Sequence, residues 1–124
     1  MKAELQSLLD DIHNDLGEDF LATNIVGLDG MSIAGTKARS EFNSEAVSAH
    51  FAMVMKLGGK LAEGSRMGSL RENQLNTDKA MIFSRLLGDG NFYWLLATTK
   101  NATLGIVRGL MDEYEMRLWG AIPT

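Results

Sequence analysis

Few side chains in this sequence could do chemistry, and none stands at the spacing that chemistry needs. The two histidines, His13 and His50, fall in segments that read as helix, and neither belongs to an HExxH box or a similar metal pattern. Each reads as structural. A serine nucleophile would need a strained elbow such as GxSxG, and there is none. Cysteine is absent from the chain. That removes disulfides, thiol nucleophiles, iron–sulfur clusters and cysteine-held zinc together.

Two glycine-rich stretches approach phosphate-binding patterns and miss. Residues 30–37, GMSIAGTK, reverse the lysine-then-hydroxyl order of a phosphate loop and follow a hairpin turn where a strand-to-helix junction is required. Gly88-Asp89-Gly90 begins like GxGxxG, but Tyr93 holds the third glycine position and a strand follows. Asp112, Glu113 and Glu115 spread around the polar side of the last helical segment, which reads as a solvated face and not an acid/base pair. Phe92, Tyr93 and Trp94 read as core residues of a central strand, in preference to a base-stacking platform. No catalytic residue, metal or cofactor is expected.

The elements that would position these residues come from patterning. At 124 residues, 45% hydrophobic and 23% charged, the chain reads as one ordered domain spanning 1–124. Its net charge of -4, with no basic stripe, argues against nucleic acid. The opening MKAELQSLLDDIHNDL lacks the apolar run of a signal peptide, and no stretch approaches the roughly 20 apolar residues of a membrane span. The expected location is therefore the cytoplasm. Leu5, Leu8, Leu9, Ile12 and Leu16 recur at helical spacing, and Gly17 ends that helix. Asp29-Gly30 suits a type I′ turn between strands at about Phe20–Leu28 and Met31–Ala38. Asn43 or Ser44 caps a helix running to about Arg66. SLRENQLN reads as a polar edge strand, and KAMIFSRLL and NFYWLLATT as strands covered on both faces. Asn101, in the formal sequon Asn101-Ala102-Thr103, reads as the start of a last helix. The order is α-β-β-α-β-β-β-α: an α/β chain of the α+β kind, with one five-stranded antiparallel sheet and helices on both faces.

The middle helix has an apolar arc wider than one sheet can cover. Val47, Phe51, Val54, Gly58 and Leu61 form its expected centre, with Met53 and Leu57 to one side and Met55 and Ala62 to the other. Ser48, Ala52, Gly59 and Ala62 run along one edge beside Met55. Gly58 and Gly59 each cost a helix about 1 kcal/mol relative to alanine, which hints at close packing. A two-fold contact between this helix and its own copy would cover the excess.

The hairpin IVGLDGMSIAG, this capped helix and the closing LLGDGNFYWLLATTKNATLGIVRGLMDEYEMRLWG resemble the Roadblock dynein light chain family, including its prokaryotic members, over roughly Leu5 to Trp119. The resemblance implies a profilin-like domain that dimerises through the middle helix and the third strand. Ser48, Ala52, Met55, Gly59 and Ala62, with Leu70, Glu72 and Gln74, are then the expected dimer contacts. It also implies a non-enzymatic platform for a Ras-like small GTPase, sometimes promoting GTP hydrolysis or nucleotide exchange. Arg39, Arg66, Arg71 and Arg85 are candidate partner contacts on expected exposure alone. The alternatives are a passive adaptor subunit in a motor or kinase complex and, disfavoured by the apolar core, a small-molecule sensor.

Overall fold

The stripe of Leu5, Leu8, Leu9 and Ile12 winds into helix α1, Lys2–Leu16, in a computed structural model that describes residues 2–123. All four are buried. Gly17, at φ +57°, breaks the helix, and a short 3-10 turn feeds strand β1, Phe20–Gly27. Strand β2, Ser32–Lys37, returns antiparallel to it. The connection differs from the type I′ turn expected. Gly30 has φ +90° but Asp29 does not share a positive φ. Gly27 N–H donates to Met31 O (3.0 Å) and Gly30 N–H to Gly27 O (2.9 Å), which makes a three-residue loop closed by a glycine bulge. Asp29 contributes its carboxylate instead, accepting from Met31 N–H at 2.9 Å.

Helix α2, Ser44–Ser65, starts at Asn43, whose Oδ1 accepts from Ala46 N–H at 3.2 Å. The side chain of Ser44, the other capping candidate, lies outside the described residues. Strands β3 (Glu72–Asn76), β4 (Ala80–Leu87) and β5 (Phe92–Thr99) precede helix α3, Leu104–Ala121. Thr103, not Asn101, is the residue before α3; its extended backbone lets its carbonyl take the first helical bond, from Val107 N–H at 3.0 Å. Asn101 sits in the preceding turn.

The strands form one sheet in the order β2-β1-β5-β4-β3, with every neighbouring pair antiparallel. Helices α1 and α3 cover one face and α2 the other, which matches the architecture expected from sequence. The central strand β5 serves both layers. Trp94 and Leu96 join Phe83, Ile25, Leu9, Met111 and Leu118 on the α1/α3 side. Tyr93 and Leu95 join Val26, Phe51 and Met55 under α2. This two-sided burial is why β5 is apolar at consecutive positions. Its polar handles are satisfied: Trp94 Nε1 donates to Thr23 Oγ1, which donates to Leu95 O, both at 2.8 Å.

Candidate interaction surface

Helix α2 sets two apolar stripes side by side, and the sheet covers only one. Ser48, Phe51, Ala52 and Met55 are buried, with Ala62 half-buried, a series at spacings of three and four. Small side chains here let the helix settle onto bulky sheet residues. Tyr93 OH donates to the Ser48 carbonyl, and Asn24 Nδ2 lies 3.5 Å from Ser48 Oγ. The small-residue edge expected to meet a second copy is thus already occupied by this chain's own sheet at Ser48, Ala52 and Met55; Gly59 and Ala62 are half-buried beside them. The expected centre is displaced correspondingly. Met53 (67% exposed), Leu57 (59%) and Leu61 (65%), with Val47 and Val54, form an uncovered arc along the 22-residue helix. A rod of that length, about 33 Å, carries an apolar strip on water that nothing among the described residues covers.

Beside this arc lies the free edge of the sheet. Strand β3 has one neighbour, β4. The opposite edge, β2, is backed by α1, from which Gln6 Nε2 donates to Gly35 O at 3.3 Å. Leu70, just before β3, packs on α2 where Gly58 lacks a side chain; a Cβ there would come within 3.2 Å of it. Glu72 and Gln74 turn towards α3, so their side chains do not project along the seam that sequence reading assigned to them. Alternation puts Asn73 and Leu75 on the α2 face, and Leu75 is largely exposed.

Of the four arginines expected at the surface, Arg39, Arg66 and Arg71 are exposed, and Arg85 is not. Arg39 pairs with Glu41 at 3.5 Å between two solvated side chains, a contact worth little. Arg85 is 8% exposed on the α3 side of β4. Its Nε donates to Glu72 (2.8 Å), and one terminal nitrogen donates to both Asp112 (2.9 Å) and Glu115 (3.0 Å). Arg108 completes the cluster, reaching the other Glu72 oxygen at 3.0 Å and Gln74 Oε1 at 2.6 Å. Burial by itself would lower the pKa of Arg85. The hydrogen bond and charge of Glu72, then Asp112 and Glu115, outweigh it and hold the guanidinium above its ordinary value. Two of the three carboxylates read as a solvated face are therefore committed to this ion network, while Glu113 is exposed. The sequence signal was an arginine inside a largely apolar strand, but its partners on α3 lie 27 and 30 residues further along the chain.

His13 stacks on Phe20 with ring centroids 4.2 Å apart, and His50 is exposed. Among the described residues no group of three or more His, Asp or Glu could hold a metal ion, and no helix is long and apolar enough to cross a membrane. An apolar cleft of about 200 Å³ lies between Phe42, Val47 and the sheet residues Leu21, Ile82, Leu95 and Ala97. It is below the size of ordinary small-molecule pockets. Of its two amides, Asn43 is used in capping and Asn24 faces Ser48.

No protein-family model matches the sequence, and no curated protein matches it. Solved structures do match the fold. MglB from Myxococcus xanthus aligns with a TM-score of 0.87 at 13% identity, covering 96% of this chain and 87% of that one. An MglB in a tetrameric arrangement gives 0.82 at 14% identity over 95% and 89%. A Roadblock domain from Streptomyces avermitilis gives 0.75 at 13% identity over 91% and 96%. The chain therefore has the Roadblock fold.

Proposed function

We propose that this Roadblock-fold chain is a non-enzymatic homodimeric regulator or scaffold that binds a Ras-like small GTPase and modulates its GTP hydrolysis or nucleotide exchange. The observation that carries the reading is the uncovered apolar arc of α2 lying beside a sheet edge with no neighbour. Met53, Val54, Leu57 and Leu61 have no reason to face water in a lone domain of this size. An antiparallel copy of α2 would cover them, and two β3 edges would pair across the same two-fold axis. The contact residues in that arrangement are the exposed ones on α2 with Leu70 and Leu75, and not Ser48, Ala52 and Met55. Tetrameric MglB is a further protein of this fold in an assembly of copies.

The GTPase half of the reading rests on the Roadblock resemblance, since members of that family serve as platforms for such partners. A platform needs exposed, preformed surface, which the uncovered arc of α2 and the free β3 edge supply. Arg39, Arg66 and Arg71 remain candidate contacts on the surface. The test is affinity capture from source-cell lysate on immobilised protein, with GDP or a non-hydrolysable GTP analogue added. Enrichment of a small GTPase in one nucleotide state is the expected result. Recovery of a motor, kinase or scaffold irrespective of nucleotide would replace the GTPase reading with that of an adaptor. A mass of one chain at micromolar concentration would overturn the homodimer.

A further inference from the structure

Strand β3 is short, polar and joined to the sheet on one side, so its pairing with β4 has little side-chain burial to hold it. What does hold its α3-facing side is the ion network. Glu72 uses one carboxylate oxygen for Arg85 and the other for Arg108, and Arg108 also takes Gln74 two residues on. Arg85 is anchored in turn by Asp112 and Glu115. Two of the three β3 side chains on the α3-facing side, Glu72 and Gln74, are thus fastened through arginines to α3 itself, and Gln74 Nε2 in turn donates to the third, Asn76, at 2.9 Å. The inner members are shielded from solvent, with side chains of Arg85 and Glu72 only 10% and 13% exposed, so salt screens them weakly. The outer members, Arg108 and Asp112, are 44% and 74% exposed and open to competition.

We infer that this network is a clamp that holds the β3 edge in register for pairing with a second copy, and that it couples the surface of α3 to self-association. Arg85, Arg108 and Glu72 are positioning residues: they face away from the seam and act on it through the strand. An event on α3 that draws Arg108 off Glu72 and Gln74 loosens β3 and weakens the dimer. The inference rests on the self-association reading above.

The test compares Arg108→Ala and Arg108→Lys with Tyr114→Phe. Tyr114 shares α3 with Arg108, and its loss removes the 2.7 Å bond from Tyr114 OH to Asp15 on α1 but leaves β3 untouched. Each variant is followed by sedimentation over a dilution series and by amide hydrogen exchange. Loss of charged hydrogen bonds of this kind should raise the dimer dissociation constant roughly tenfold in Arg108→Ala. Exchange should quicken at residues 72–76, with Arg108→Lys intermediate because an ammonium cannot serve both acceptors in fork geometry. Tyr114→Phe should change neither. If Arg108→Ala and Tyr114→Phe behave alike in both measurements, the clamp is overturned. A wild-type mass of one chain would overturn the self-association reading and the coupling with it. Exchange on that monomer would still show whether the network orders β3, and unchanged protection there would discard the clamp on its own account.

Discussion

Replacing Leu61 by serine separates the two faces of α2. Burying a leucine fully is worth about 1.5–3 kcal/mol. Leu61 keeps 65% of its surface in the isolated chain, so roughly 1–2 kcal/mol remains to be gained by covering it. A two-fold contact counts each residue twice, which brings the loss in Leu61→Ser to roughly 2–4 kcal/mol of association free energy. The dissociation constant should rise by about 30- to 1,000-fold. Folding should lose less than about 1 kcal/mol, from the contact already made and the poorer helix propensity of serine. Met55→Ala, on the covered stripe, should do the reverse and cost folding about 2–5 kcal/mol through the cavity it leaves. Sedimentation over a dilution series reads the association, and urea unfolding of the dilute protein reads the fold. The reasoning fails if Leu61→Ser unfolds the chain as Met55→Ala does, or leaves the association constant where it was.

Backbone conformation supplies further outcomes. Arg66, the residue just past α2, holds φ +59°, and Arg66→Gly should stabilise by about 0.5–1 kcal/mol in thermal or urea unfolding. Gly105 and Gly109 stand in α3 with nothing within 4 Å of where a Cβ would be, so each Gly→Ala change should add about 1 kcal/mol. Gly35→Ala should instead destabilise by about 1–3 kcal/mol, because its Cβ would fall 1.6 Å from Oδ1 of Asn24. Burial, then the hydrogen bond and charge of Asp15, push Tyr114 up to about 12 from 10.0, and burial also raises Tyr93. The raised folded values favour the neutral phenols, so the contribution of Tyr114 is whole below pH 10 and is lost as pH climbs through about 12. The unfolding free energy should therefore fall across that window, and Tyr114→Phe should remove part of the fall.

What the sequence by itself determined is most of what is local, the turn type at Asp29-Gly30 and the start of α3 excepted. The α1 stripe, the Gly17 break, the Asn43 cap and the glycine-marked hairpins depend on residues a few positions apart, and each element lies within a few residues of its expected place. The apolar runs of β4 and β5 likewise announced strands covered on both sides, whatever covers them.

Tertiary structure decided what depends on distant neighbours. Helix α2 is apolar over so wide an arc that periodicity allows more than one orientation, and the bulk of Tyr93, Leu95 and Val26 beneath it selected the side with Ser48 and Ala52. A helix wheel has no knowledge of the sheet it will lie on, so the stripe that remained uncovered was legible as apolar but not as exposed. Arg85 is the same lesson in charge. Within its strand it reads as a solvated arginine, and only the packing of α3 brings Asp112 and Glu115 to it and turns Glu72 inward. Local pattern sets which segments become helix and strand; the choice of buried face and of ionic partner belongs to contacts that exist only once the layers close.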